Sequence, residues 1–255
     1  MESREDGRRL ILAGKVMMGD RVADRPALLV EPDCDIRVKE RPPYVSRGGL
    51  KLIAALDAFG VPIAGATCAD VGASTGGFTD VLLQRGARRV VAIDVGYGQI
   101  NWKLRTDPRV FVLERTNARN LAALPVDPST GAAIRAGVVT IDVSFISLRL
   151  ILPVVAEWLA PGGSVIALIK PQFEAGRERV GKGGVVRDPH THRDVICSLL
   201  DWATKEGWAV RGLIRSPITG PAGNVEFLVW LTPTSDSTQP IDYRAAIDRT
   251  VPLDS

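Results

Sequence analysis

Between residues 67 and 231, short apolar runs alternate with stretches of helical spacing, and this alternation constrains the fold more than any other feature. The runs that we predict as parallel strands are residues 67–71, 90–94, 110–113, 138–141 and 164–169. The predicted helices are residues 50–59, 79–84, 148–159 and 192–206, and the predicted closing pair of strands is 208–214 and 226–231. Such alternation is typical of a parallel sheet with helices on both faces, so the sequence predicts an α/β fold.

The two ends of the chain differ from this central region. Residues 1–40 predict a short helix followed by short strands at 15–18, 21–22, 28–30 and 35–38, and Pro42 and Pro43 then mark a linker. Residues 232–255 are rich in Pro, Ser, Thr and Asp, with one weak helix predicted at 243–247. We therefore predict a small N-terminal domain over 1–40, a main domain over 41–231 and a flexible tail over 232–255.

Composition narrows the protein class. Hydrophobic residues make up 45% of the chain and charged residues 24%, as in ordinary globular proteins. No apolar run reaches the length of a bilayer span, and the charged start of the chain is unlike a secretory signal. The three cysteines are scattered, which fits a reducing cytoplasm. His190 and His192 are the only histidines, too few for a metal site without further ligands.

The net charge of +3 does not by itself indicate a nucleic-acid partner. Basic residues do cluster near the start of the chain, between 37 and 51, and between 177 and 187. Clusters of this kind can contact phosphates, and a solvated charged face explains them equally well.

A glycine-rich loop, Asp70 to Gly77, follows the first strand of the predicted parallel sheet. The first strand–helix junction of such a sheet is where nucleotide-like ligands bind, and glycine lets the backbone approach them closely. The loop lacks the GxGxxG spacing, which makes a hydride-transfer enzyme less favoured. Asp94 ends the second strand roughly 20 residues further on, where a ribose-binding carboxylate is expected. Together these features favour a nucleoside-type cofactor.

Four charged residues are expected to converge at the same edge of the sheet. Asp142 follows the fourth strand and Lys170 follows the fifth, while Lys51 precedes the first strand and Glu226 opens the last. Each residue alone could belong to a surface ion pair. As a group they suit methylation of a hydroxyl, because a ribose 2′-OH is a weak acid and a desolvated lysine can accept its proton.

Seven segments of the sequence resemble one known family. They are 44–51 (YVSRGGLK), 70–80 (DVGASTGGFTD), 94–99 (DVGYGQ), 114–119 (ERTNAR), 142–148 (DVSFISL), 170–176 (KPQFEAG) and 216–226, which opens with SPITG and closes with NVE. The chain resembles the TlyA, or hemolysin A, family, which is related to the FtsJ-type ribose methyltransferases. The resemblance implies a Rossmann-like class I methyltransferase sheet and 2′-O-methylation of cytidine in ribosomal RNA with S-adenosylmethionine.

The resemblance also assigns residues to roles. It places the catalytic set on Lys51, Asp142, Lys170 and Glu226. It places cofactor contacts on Asp70, Gly72, Ala73, Ser74, Thr75, Gly76, Gly77, Phe78 and Asp142, with Asp94 at the ribose and Asn117 near the adenine. Residues 3–39 resemble the later part of an RNA-binding domain of the ribosomal-protein S-four type, so we predict a partial domain there. Arg4, Arg8, Lys15 and Arg47 are the predicted RNA contacts.

Three other functions remain as alternatives: an RNA-binding module without chemistry, a membrane-active protein as the name hemolysin implies, and a methyltransferase for a small molecule. The four charged residues argue against the first, and the basic clusters disfavour the third. No long basic amphipathic helix supports the second. The expected partner is ribosomal RNA or a ribosomal subunit, without stable membrane insertion, and the oligomeric state is left open.

Overall fold

The computed structural model describes residues 4–12, 14–38, 43–128, 130–236 and 239–253. The chain divides into two compact units, Met1–Pro43 and Tyr44–Ser255. In the smaller unit, helix α1 (Arg4–Leu12) precedes an antiparallel sheet of β1 (Val16–Met18), β2 (Arg21–Val22) and β3 (Ile36–Val38), in the order β2-β1-β3. The predicted strand at 28–30 is wrong, because these residues are exposed and pair with no strand of the described chain. A short apolar run forms a strand only where a neighbouring strand can pair with it.

The larger unit is built on a seven-stranded sheet in the order β6-β5-β4-β7-β8-β10-β9. Its strands are β4 (Thr67–Val71), β5 (Arg89–Ile93), β6 (Val110–Leu113), β7 (Ala136–Ile141), β8 (Leu159–Ile169), β9 (Trp208–Arg215) and β10 (Phe227–Pro233). Strands β4 to β8 are parallel, and β10 runs antiparallel to both β8 and β9. The predicted α/β sheet is therefore confirmed.

Helices cover both faces of this sheet. The helices of the larger unit are α2 (Gly49–Phe59), α3 (Gly77–Gln84), α4 (Trp102–Arg105), α5 (Leu152–Ala156), α6 (Pro171–Glu174), α7 (Pro189–Lys205) and α8 (Tyr243–Thr250). Successive strand residues point to opposite faces, so Cys68 packs in one core with α2, α3 and α4, while Ala69 packs in a second core with α5, α7 and α8. This alternation explains why the strands are apolar throughout.

The predicted helix at 148–159 is wrong in extent. A 3-10 turn at Leu148–Leu150 leads into the short helix α5, and β8 begins at Leu159. Leu159 pairs with Ala136 of β7, and the indole of the preceding Trp158 donates to the carbonyl of Leu121 at 3.0 Å. These tertiary contacts draw the chain into the sheet although its apolar spacing favours a helix.

The predicted flexible tail at 232–255 is also corrected by the structure. Strand β10 continues to Pro233, and α8 begins after Asp242, whose carboxylate accepts hydrogen bonds from the backbone N–H groups of Arg244 and Ala245. Ala246 and Ile247 are buried in the core against α7 and β9. The weak helix predicted at 243–247 is therefore present and extends to Thr250, but the polar composition of 232–242 did not indicate that it packs against the core.

Replacing Ile247 with alanine tests whether α8 is part of the core. We expect Ile247→Ala to lower the free energy of unfolding by about 2–5 kcal/mol, because it removes buried methyl groups and leaves a cavity. The measurement is urea unfolding followed by circular dichroism. Arg249→Ala, at an exposed position of the same helix, is the control and should change stability by less than about 0.5 kcal/mol. Equal, small effects of both substitutions would mean that the helix does not pack as described.

Candidate active site

The loop between β4 and α3 lies where the carboxyl ends of β4 and β7 meet. The backbone N–H groups of Gly72 and Ala73 both donate to the carbonyl of Ile93, at 2.9 and 3.1 Å, which holds the loop on β5. Gly72 has a φ of +83°, and a methyl group there would overlap the backbone carbonyl of Asp142. Glycine is therefore required for the loop to lie directly on the end of β7.

Asp94 holds the other side of this loop. One carboxylate oxygen accepts the N–H of Ser74 at 2.7 Å, and the other accepts the N–H of Gly96 at 2.7 Å. Ser74 has a φ of +49°, an uncommon conformation for a residue other than glycine, and this hydrogen bond helps to stabilise it. Each carboxylate oxygen keeps acceptor capacity for a ligand hydroxyl.

A cavity of about 340 Å³ opens beside these two segments. Of the predicted cofactor residues, Gly72, Ser74, Asp94, Asn117 and Asp142 line it. The side-chain oxygen of Asn117 accepts the N–H of Arg119 at 3.1 Å, so Asn117 also begins the turn that shapes this wall.

The other predicted cofactor residues lie outside the lining of this cavity. Phe78 is buried in the core beside α2. Thr75 is exposed, and Gly76 packs under Leu104, where a side chain would clash. Ala73 and Gly77 are buried in the turn into α3. These residues shape the loop.

Asp70 is also predicted to contact the cofactor, but its side chain is fully buried beneath the loop. Its carboxylate accepts hydrogen bonds from the hydroxyls of Thr79 on α3, at 2.6 Å, and Thr140 on β7, at 3.0 Å. Burial raises the pKa of Asp70 to about 6, and the threonine hydrogen bonds oppose that rise. Asp70 therefore connects α3 to β7 through hydrogen bonds beneath the loop.

The four predicted catalytic residues form a continuous chain of alternating charge. Lys51 Nζ lies 2.6 Å from a carboxylate oxygen of Glu226 and 3.8 Å from one of Asp142. The second oxygen of Asp142 lies 2.6 Å from Lys170 Nζ. Lys51, Lys170 and Glu226 are 7%, 8% and 1% exposed. Charges this deeply buried are tolerated because each has a partner of opposite sign.

Each member of this chain is delivered by a different element. Asp142 directly follows β7, Lys170 directly follows β8, and Glu226 directly precedes β10. Lys51 stands in the first turn of α2, and the segment before α2 is anchored to α3 by the N–H of Val45, which donates to Asp80 at 2.9 Å. The predicted convergence of strand ends therefore occurs in the structure.

Two residues that carry part of this geometry were absent from the predicted site. The hydroxyl of Ser144 accepts a hydrogen bond from Lys170 Nζ at 2.9 Å. Glu174 accepts from the hydroxyl of Ser147 at 2.6 Å and from the N–H of Leu148 at 2.7 Å, which ties α6 to the loop after β7. Burial raises the pKa of Glu174. Both residues lie within the motifs around Asp142 and Lys170, and that proximity was the available signal.

An exposed aromatic side chain stands at the mouth of the cavity. Phe145 is 90% exposed with a φ of +64°, and its ring centre lies 5.1 Å from that of Phe173 on α6. Residues held in such backbone conformations cluster at active sites and ligand-binding sites, so Phe145 is a candidate for contact with a ligand.

The predicted RNA contacts fall on both units. Arg4, Arg8 and Lys15 belong to the smaller unit, where the two arginines are exposed on α1 and Lys15 is half-buried. Arg47 is exposed in the segment before α2. Their role in RNA binding stays a prediction, as does the assignment of the smaller unit to an RNA-binding domain.

The sheet order, its antiparallel strand β10, and a cavity between a glycine-rich loop and an acidic residue at the end of β5 define a class I methyltransferase. Residues 44–232 match the sequence model of the FtsJ-like methyltransferase family. The chain therefore belongs to the FtsJ-like methyltransferases, and the relatives described next assign it to the TlyA branch, as its motifs predicted.

Three relatives carry this assignment. The chain is 52% identical over 231 residues to a candidate rRNA methyltransferase, YqxC, of Bacillus subtilis, covering 90% of this chain and 80% of the relative. It is 46% identical over 237 residues to the 16S/23S rRNA (cytidine-2′-O)-methyltransferase TlyA of Mycobacterium tuberculosis, covering 92% and 86%. The structure of a candidate hemolysin from Streptococcus thermophilus is similar with a TM-score of 0.76 and 45% identity, covering 98% of this chain and 90% of that one.

The buried carboxyl of Asp70 predicts a pH dependence of stability. Its folded-state pKa of about 6 lies above the ordinary value, so the folded protein binds the extra proton between about pH 4 and pH 6. The stability associated with that proton is present below about pH 4 and is lost as the pH rises through 6.

We compare the unfolding free energy of the wild type with that of Asp70→Asn at about pH 4 and at about pH 7.5. Between these two values the wild type should lose about 3 kcal/mol of stability relative to the variant. Urea titrations at the two pH values measure it. Asp57→Asn, at a solvent-exposed carboxylate, is the control. A difference that stays constant with pH would show that Asp70 ionises as in the unfolded chain.

Proposed function

We propose that the protein transfers the methyl group of S-adenosylmethionine to the 2′-hydroxyl of a cytidine in ribosomal RNA. The observation that carries this proposal is the buried chain Glu226–Lys51–Asp142–Lys170 at the edge of the cavity. A desolvated lysine beside a ligand cavity can accept the proton of a weakly acidic hydroxyl. The named activity of the Mycobacterium tuberculosis relative supports the same substrate.

The cavity fits a nucleoside-type methyl donor. Asp94 can accept ribose hydroxyls, Asn117 lies on the adjoining wall, and Gly72 lets the loop lie on the end of β7 beside the cavity. Apolar lining from Val71, Ile93 and other residues suits the faces of a purine. When bound, S-adenosylmethionine supplies a methyl carbon whose bond to sulfur breaks as its bond to the attacking oxygen forms.

Each of the four charged residues has a separate role in activating the acceptor hydroxyl. The proton leaves the 2′-oxygen for the lone pair of Lys170 Nζ, which takes part in this step as the neutral amine. This nitrogen lies in contact with two residues of the cavity wall, Asp142 and Ser144. Asp142 stabilises the resulting ammonium and fixes its position. Lys51 and Glu226 hold Asp142 in turn and balance the buried charge.

The RNA would approach from the side of the cavity where Phe145 is exposed. An exposed ring can stack on an unpaired base, which is how proteins commonly hold single-stranded RNA. The exposed Arg47, together with Arg4 and Arg8 of the smaller unit, would contact phosphates. Because ribosomes assemble in the cytoplasm, this proposal places the protein there, with ribosomal RNA or a ribosomal subunit as its partner.

Membrane activity is the second candidate, because a structural relative is named as a hemolysin. In the part of the chain that the structure describes, no helix is both long enough and apolar enough to cross a bilayer. The buried charged chain has no role in such an activity, so methyl transfer accounts for more of the structure.

Replacing Asp94 tests the cofactor site. We expect Asp94→Ala to weaken S-adenosylmethionine binding roughly tenfold or more, because a charged acceptor for ribose hydroxyls and a support of the Ser74 turn are both lost. Isothermal titration calorimetry measures the dissociation constant. Asp57→Ala serves as the control because its carboxylate is on the surface. An unchanged constant in Asp94→Ala would contradict the ribose role.

Replacing Lys170 tests the chemical step. We expect Lys170→Met to reduce methyl transfer to ribosomal RNA by roughly a factor of 10²–10⁴, the usual contribution of a general base, while S-adenosylmethionine binding changes little. The measurement is 2′-O-methylation of ribosomal RNA mapped by nucleotide, with purified protein and tritiated donor.

Lys205→Met, at an exposed lysine near the end of α7, is the matched control and should keep full activity. Wild-type turnover by Lys170→Met would remove this lysine from the mechanism. Absence of methyl transfer by the wild-type protein on ribosomal RNA, on free subunits and on intact ribosomes would overturn the proposed function.

A further inference from the structure

Ser144 occupies a position beside the catalytic chain that no assigned role explains. It lies two residues after Asp142, its hydroxyl accepts from Lys170 Nζ at 2.9 Å, and it lines the cavity. Lys170 Nζ therefore has two oxygen partners on the cavity wall, the carboxylate of Asp142 at 2.6 Å and the hydroxyl of Ser144.

Two partners fix the direction of the lone pair of a lysine that acts as a base. The neutral amine has two N–H donors and one lone pair, arranged tetrahedrally with its stem. With one hydrogen on Asp142 and one on Ser144, the lone pair takes the one direction that remains. With Asp142 alone, the second hydrogen and the lone pair could exchange positions.

We propose that Ser144 is a positioning residue for Lys170: its hydroxyl orients the amino group toward the acceptor hydroxyl and stabilises the ammonium that forms. This inference rests on the proposed methyl transfer. As the oxygen–carbon bond forms and the carbon–sulfur bond breaks, the hydroxyl proton moves to Lys170 Nζ. Ser144 passes on no proton, and it accepts a hydrogen bond from the ammonium at the end of the step.

The loop that carries Ser144 has other anchors. Glu174 binds the hydroxyl of Ser147 and the N–H of Leu148, and the N–H of Asp142 donates to the carbonyl of Val71 at 2.9 Å. Both ends of the loop are thus held without the Ser144 hydroxyl. Removing that hydroxyl should leave the loop, the cavity and the fold in place, which makes its effect on Lys170 measurable.

The test compares Ser144→Ala with Ser144→Thr, which keeps a hydroxyl, and with Ser198→Ala. Ser198 is the matched control because its hydroxyl also accepts from a cation, Arg149 at 2.8 Å, on the surface of α7. Single-turnover methyl transfer to ribosomal RNA is measured across pH with saturating S-adenosylmethionine, so that the chemical step is observed. Calorimetric binding of the donor and thermal unfolding are recorded for each variant.

Two effects are expected in Ser144→Ala. The plateau rate falls roughly tenfold, the usual effect of losing a hydrogen bond to a charged group. The acid limb of the pH–rate profile moves to lower pH by about half a unit to one unit, because the charged form of Lys170 has lost an acceptor and releases its proton more readily. In Ser144→Thr the plateau rate is within about threefold of wild type and the acid limb returns to its wild-type position. The affinity for S-adenosylmethionine is unchanged in both Ser144 variants, and Ser198→Ala behaves as wild type.

A role limited to loop structure would lower the rate, the melting temperature or donor affinity without moving the acid limb, and that result would overturn the inference. An unchanged rate and profile in Ser144→Ala would overturn it as well. Both outcomes presuppose an active wild-type protein. If the wild type transfers no methyl group to any form of the RNA, the proposed function fails instead, and the two failures are therefore distinguishable.

Discussion

The carboxylate of Asp142 is the interaction on which the rest of the site depends. Its two oxygens face two different lysines, Lys170 at 2.6 Å and Lys51 at 3.8 Å, and no other residue of the buried chain contacts both. Its backbone carbonyl lies against Gly72, so the loop beside the cavity is seated on the same residue. The proton acceptor and the wall of the ligand cavity therefore share one fixed point at the end of β7.

The topology explains why this point is available. Strands β4 and β8 flank β7 and run parallel to it, so Val71, Ile141 and Ile169 end at one edge of the sheet, and Asp142 and Lys170 follow there. Strand β10 runs antiparallel to β8, so its start, next to Glu226, lies at that same edge. Because β10 is antiparallel to β8, the carboxylate of Glu226 lies next to Lys51. If β10 were parallel, Glu226 would lie at the opposite edge of the sheet.

The strands and the charged residues at their ends could be predicted because periodicity and strand direction are local and topological properties. Lys170 and Asp142 needed only the rule that parallel strands end at a common edge. Asp70 could not be placed, because the sequence does not show that Thr79 and Thr140 would enclose its carboxylate. The extent of the helix predicted at 148–159 and the packing of α8 were missed for a related reason. Trp158 and Ile247 obtain their positions from contacts distant in sequence.

The burial of Lys51, Lys170 and Glu226 around Asp142 also limits which substitutions these four positions can tolerate. Glu226 is almost inaccessible, and a side chain at Gly220 would come within 2.6 Å of its carboxylate, so the wall around it has no spare room. Removing either acid would leave a buried ammonium without its nearest partner, a state that costs several kcal/mol or forces the lysine to lose its proton. In the described ion pairs Asp142 joins Lys51 and Glu226 to Lys170, so a change in Lys51 or Glu226 would reach the cavity through the carboxylate of Asp142.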